Sequence, residues 1–202
     1  CFHLTDAQRD LIRRKVLNRG RTVLWCYASG LFNEAKTSLA AMRELTGMNL
    51  QRAEKPNRVR ARIVLTEDGA RLGAYPAARP HVIGHEHVWA QLISVEDKEA
   101  VVLGTLEGRR EVVLAMRHRK SWTSVYTLNP VLPAAFLRAL ARHAGVHLYN
   151  DRDDTLYASR SFLTLAADAA GRRQIQLPRR CDVFDPFTGE RLAAVPSLRP
   201  DV

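Results

Sequence analysis

"TVLWCYASGL", residues 22–31, runs an apolar stretch into a small-residue turn with a cysteine at the junction. Its reading decides both the fold and whether the chain carries a nucleophile. Upstream, "LTDAQRDLIRRKVLNRG" places Leu11, Ile12, Val16 and Leu17 at helical spacing, with Thr5 or Asp6 as N-cap and Gly20 as the stop. Residues 21–28 then read as a buried-type strand and Ser29-Gly30 as its turn. "NEAKTSLAAMRELTG" supplies a second helix, capped by Asn33 and ended by Gly47. Helix, strand, turn and helix in that order predict an α/β fold with an open, doubly wound sheet.

Beyond residue 48 the pattern turns to strands. "VRARIVLT" alternates, and Asp68-Gly69 reads as a hairpin turn. "YPAARPHVIGHEHVW" is loop-like, and "AQLISVE", "AVVLGTLEG", "REVVLAMRHRK" and "WTSVYTL" follow as strands, the last running into Asn129-Pro130. "PAAFLRALARHAG" is a helix between Pro133 and Gly145. "VHLYN", "DTLYASRSFLTLAA", "RQIQLP" and "CDVFDPFTGERL" read as strands without a long helix, predicted to lie against one sheet edge. The expected division is an α/β domain over residues 1–148 and a β-rich extension over 149–202. With Cys1 leading straight into a helix, the chain is expected to begin inside a longer parent.

Three widely spaced cysteines with no CxxC pair suggest neither a disulfide framework nor a zinc knuckle. No apolar run approaches the roughly 20 residues that span a bilayer, so no membrane partner is expected. The formal charge of +10 raises nucleic acid as a partner. The Arg and Lys clusters, among them Arg13-Arg14-Lys15 and Arg117, Arg119 and Lys120, are short and not interleaved with aromatic residues. A solvated basic surface and no nucleic acid is the expectation.

Cys26 does not sit on a nucleophile elbow, which needs small residues two positions to either side; here they are Leu24 and Ala28, with Trp25 and Tyr27 as immediate flanks. Buried among such neighbours, its thiol is expected to stay protonated and fill space. His81, His85 and His87 lie within seven residues, and two alternate histidines on an extended segment point one way, yet the spacing matches no zinc signature. Asp151, Asp153 and Asp154 read as a solvated hairpin tip rather than paired catalytic acids. There is no glycine-rich phosphate loop, and no cofactor is expected.

"LTDAQRDLIRRKVLNRGRTVLWCYASGLFN", the "LTGMNL" helix end, "EAVVLGTLEG", "SWTSVYTLNPVLPAAFLRALARHAGVHLYND" and "GRRQIQLPRRCDVFDPFTGE" span most of residues 4–192. Together they resemble the glutamine-amidotransferase-like, β-galactosidase trimerisation-type domain and C-terminal extension of bacterial β-galactosidase-like glycoside hydrolases. The resemblance implies a flavodoxin-like sheet, incomplete at its N-terminus, that has lost amidotransferase chemistry. It implies a non-catalytic assembly domain that forms homo-oligomers and shapes the site of a catalytic glycosidase domain in the same parent.

Two other classes remain. A cysteine hydrolase or amidotransferase would use Cys26 with His85, His87 or His147 as base. A ligand-binding module, for carbohydrate, would place its pocket at the carboxyl ends of the strands, near Tyr27, Ser29, Gly30 and Trp122. Trp25, Trp89 and Trp122 read first as core or interface anchors, with Trp122 the best candidate for a sugar contact.

Overall fold

The computed structural model describes residues 2–33, 36–53, 59–76, 80–86, 88–89 and 91–194. In chain order the elements are α1 (Asp6–Lys15), β1 (Arg21–Cys26), β2 (Phe32–Asn33), β3 (Lys36–Thr37), α2 (Leu39–Thr46), β4 (Leu50–Arg52), β5 (Val59–Arg60), β6 (Ile63–Leu65) and α3 (Glu67–Leu72). Then follow β7 (Val82–Ile83), β8 (Val88–Trp89), β9 (Ile93–Val95), β10 (Val101–Leu106), β11 (Val112–His118), β12 (Trp122–Thr127) and α4 (Ala134–His143). The last four are β13 (Thr155–Ala158), β14 (Leu163–Ala166), β15 (Asp182–Phe184) and β16 (Arg191–Ala194). The chain divides into two compact units, residues 1–140 and 141–202, with the boundary inside α4.

The first unit is built on a six-stranded sheet in the order β1-β12-β11-β10-β6-β7, curled into a half-barrel. Only β1 and β12 run parallel; every other neighbouring pair is antiparallel. The flavodoxin-like, doubly wound sheet expected from the sequence is therefore incorrect: the sheet is a curled, mixed half-barrel, and the described residues form few helices. The reason is topological. A parallel sheet needs a long crossover between every pair of neighbours, whereas β10, β11 and β12 follow one another through short turns and pair as a meander. Its centre is dry, with Val113, Leu114, Ala115, Val125 and Tyr126 fully buried.

Local chemistry explains where element boundaries match the sequence reading and where they move. Thr5 caps α1 in a reciprocal box with Gln8, and Arg13, Arg14 and Lys15 in the last turn complement the helix dipole. The second helix starts later than expected. Phe32–Asn33 and Lys36–Thr37 pair as a small hairpin, and Ser38 rather than Asn33 caps α2 by accepting the Ala41 N–H. Gly47 does end it, with φ 65°.

Asp68-Gly69 is not a hairpin turn. Thr66 accepts the Gly69 N–H at 3.2 Å and starts α3, while its own hydroxyl donates to the Val102 carbonyl at 2.6 Å. A Cβ on Gly69 would come within 1.8 Å of the Leu103 carbonyl oxygen, so the helix lies on β10 only because that residue has no side chain.

A polar clamp ties the turn after α2 to the sheet. Asp97 accepts the Asn49 and Glu99 backbone N–H groups at 2.9 and 3.0 Å and the Arg117 guanidinium at 2.6 Å. Arg117 also donates to the Gly47 carbonyl and to Glu99. Burial pushes the Asp97 carboxyl up, but the two backbone donors and Arg117 outweigh it and hold the group below its ordinary 3.8.

The second unit holds two separate hairpins, β13–β14 and β15–β16. Residues 146–150 and 173–178, read as strands in the sequence, form none; they meet through Gln176, whose N–H donates to the Tyr149 carbonyl and whose carbonyl bonds the His147 ring. Asp154 departs from the solvated tip expected for the three aspartates. Its carboxylate takes a two-pronged bond from Arg173, at 2.7 and 3.0 Å, and the Asp168 N–H at 3.0 Å. These donors, Arg173 first, hold it below the ordinary value.

Two outcomes follow for the first unit. Gly69→Ala is expected to lower stability by about 1–3 kcal/mol through overpacking, read by urea denaturation. Because the folded Asp97 pKa is depressed, its stabilisation is complete above the ordinary 3.8 and drains away as the pH falls below it. The urea midpoint of Asp97→Asn is therefore expected to lie below that of the parent at neutral pH and to converge on it in acid.

Candidate functional site

Cys26 ends β1, and the strained residue is the next one. Tyr27 adopts φ 53°, a left-handed conformation that is unfavourable for an aromatic side chain. Three contacts hold it there: its N–H donates to the Thr127 carbonyl at 2.7 Å, its hydroxyl accepts the Gln91 N–H, and its ring meets Phe2 edge-on at 5.7 Å. Ser29 turns back to donate to the Cys26 carbonyl at 2.8 Å. Gly30 has φ 69°, and a Cβ there would press within 2.8 Å of Leu45. Arg9, 2% exposed, closes the turn by donating to the carbonyls of Gly30, Phe32 and Ala41 at 2.5, 3.3 and 3.1 Å. A cation that reaches across from α1 to three carbonyl oxygens is a structural staple.

Burial pushes the Cys26 thiol above its ordinary 9.0, and buried Tyr126 beside it is pushed well above 10 by desolvation first, then by Tyr27 and Cys26. Such a thiol holds its proton at neutral pH. Among the described residues no imidazole hydrogen-bonds it.

Tyr27, Ser29 and Gly30 sit together at the carboxyl end of β1, but Trp122 does not join them. The register pairs Arg21 with Trp122 and Cys26 with Thr127, which puts Trp122 a full strand length away, at about 16 Å. There it packs edge-to-face on Trp25 at 6.3 Å and covers Gly47. His81 hydrogen-bonds the Pro76 carbonyl at 2.6 Å and lies against Tyr75. The His85 carbonyl accepts from Asn129, a buried amide that also holds the Ala61 carbonyl and the Val131 N–H. His87 and the side chain of Trp89 lie outside the described residues. His147, in the second unit, bonds the Gln176 carbonyl at 2.9 Å. Among the described residues no three His, Cys, Asp or Glu side chains are placed to hold a metal.

A concave feature lies in the second unit, where sequence reasoning placed no site. An open cleft of about 840 Å³ is lined by apolar side chains that include Leu163, Leu165, Ile175, Leu177, Val183 and Phe184. Polar groups at its margin are Arg160, Arg179, Asp182 and Asp185, and Arg191 pairs with Asp182 at 2.5 Å. The period-2 alternation of "TLYA" and "SFLTLAA" signals one apolar face; that Leu156, Leu163 and Leu165 on it stay half-exposed is visible only in three dimensions. No family model, curated protein or solved structure matches this chain. No helix among the described residues is long and apolar enough to cross a membrane.

The two described cysteines differ in exposure. Cys181 is exposed and Cys26 is half-buried with a raised pKa. Iodoacetamide at neutral pH is expected to label Cys181 about tenfold or more faster than Cys26, as read by peptide mass spectrometry. A faster Cys26 would show an activated thiolate.

Proposed function

We propose that this chain is a non-catalytic assembly module, the role implied by its resemblance to accessory domains of β-galactosidase-like glycoside hydrolases. The observation that carries this reading is the unfinished core of the second unit. From residue 141 to 192 no residue is buried. Leu148, Tyr149, Leu156, Leu163, Leu165, Ile175, Leu177 and Val183 are only half-covered, while Phe162, Phe184 and Leu192 are exposed and Phe187 is 96% exposed. A contiguous apolar surface of this kind is a contact surface. Fully burying one such side chain contributes about 1.5–3 kcal/mol, so association offers the unit the core that its own residues do not close. Asp154 and Arg173 hold the hairpin ends in place, which keeps the face ordered before it is covered.

The reading favours a partner of protein over a sugar. Phe162, Phe184 and Phe187, all bordering the cleft, carry no hydroxyl or ring N–H with which to orient a hydroxylated ligand. Sedimentation velocity over a concentration series is expected to show self-association with a Kd near or below about 10 μM. The double variant Phe184→Ser, Phe187→Asp is expected to remain monomeric with an unchanged far-UV circular dichroism spectrum. A parent chain that is monomeric throughout, with no change on mutation, sinks the assembly reading.

A further inference from the structure

In a parallel ladder, alternate residues of a strand direct both N–H and C=O to the same neighbour. Tyr27 donates to Thr127, so Trp25 and Val23 before it also face β12, and Thr22 and Leu24 direct their backbone groups to the opposite edge. No described strand pairs with that edge, since β1 is terminal in its sheet. Yet β1 has the composition of an interior strand: Thr22, Val23, Leu24 and Cys26 are half-buried around a buried Trp25. Parallel strands are ordinarily covered on both sides, and an apolar open edge is a template for a further strand.

A second observation states the chemistry of the occupant. The β1–β12 register brings two basic segments, far apart in the sequence, to the same end of the edge. Gly20 donates to the Ser121 carbonyl at 2.9 Å, and Arg21 holds the Lys15 carbonyl, which gathers exposed Arg14, Lys15, Arg19, Arg119 and Lys120 at the start of the strand. The acids on the adjoining elements are engaged: Asp10 and Glu44 with Arg13, Asp97 and Glu99 with Arg117. Among the described residues none of the five cations is paired with a carboxylate. In an antiparallel pairing of two β1 edges the basic start of each strand would meet the Cys26–Gly30 end of the other, a segment with no carboxylate to offer it.

We infer that the free edge of β1 is a docking site for an extended strand of a partner protein, apolar in its middle and acidic at the end that meets Arg19, Arg119 and Lys120. The strand pairs with the N–H and C=O groups of Thr22 and Leu24, and its carboxylates neutralise the basic end. This deepens the assembly reading and rests on it by naming a second contact surface and the charge of its partner.

Short Val/Thr peptides test it, ended on one side or the other by two glutamates and compared with lysine-ended and alternately N-methylated versions. Amide exchange in the intact chain is expected to slow at Thr22 and Leu24 when a glutamate-ended peptide is added. The lysine-ended and N-methylated peptides, and the variant Arg19→Glu, Lys120→Glu, are expected to bind about tenfold more weakly. Equal binding of glutamate- and lysine-ended peptides, binding that survives N-methylation, or no slowing at these two amides overturns the proposal. So does slow exchange at both amides in the free chain, since the edge is then already covered. Sedimentation of the Phe184, Phe187 variant reports on the other surface, so failure here and failure of the assembly reading are read separately.

Discussion

The parallel pairing of β1 with β12 is the constraint on which the first unit depends. It joins residues 21–26 to 122–127, so everything between must leave one end of the sheet and return to build its remaining strands. Loop closure on that scale costs conformational entropy before any contact rewards it. The reward is collected in β11 and β12, whose central apolar residues are buried on both faces, and in the edge-to-face contact by which Trp122, at the amino end of β12, reaches Trp25 near the carboxyl end of β1. The same register separates Trp122 from Tyr27 and gathers the basic residues at one end.

Around this pairing, buried polar side chains fix loops that apolar packing alone would leave undetermined. Arg9 closes the turn after β1, Asn129 links the end of β12 to the Ala61 and His85 carbonyls, and Asp97 with Arg117 anchors the end of α2. Arg9 and Asn129 meet the buried carbonyls of Gly30 and Ala61, which would otherwise lack partners. The second unit uses the same device differently. Asp154 and Arg173 order its hairpin ends while its apolar side chains stay half-covered, so polar geometry stands where a closed core is missing.

Much of the local structure was legible. The N-cap of α1 at Thr5 or Asp6, the Gly47 stop and strands β10, β11 and β12 follow from spacing, side-chain chemistry and alternation. The errors were of two kinds. Some were local: Asp68-Gly69 reads as a hairpin turn, but Thr66 three residues before Gly69 nucleates a helix, and Ser38 competes with Asn33 for the cap. Others were long-range. Arg173 lies 19 residues from Asp154, and no periodicity announces that the two will meet. The site residues divided in the same way. Tyr27, Ser29 and Gly30 stay together because they are neighbours in one turn, while Trp122 depended on a strand register that spacing does not report.

By itself the sequence determined the residue-level chemistry: a positively charged chain, a cysteine flanked by aromatic residues, alternating strands with apolar faces, and helices with defined caps. These follow from short-range sterics and from side chains whose partners lie a few residues away. Only the tertiary structure decided that the sheet is a curled, mostly antiparallel meander, that β1 is terminal among its described strands with a basic end, and that apolar side chains of the second unit stay half-covered. Those properties belong to strand order and to what lies against each surface. Both are set by the competition among distant pairings for burial, and no local pattern records which pairing wins.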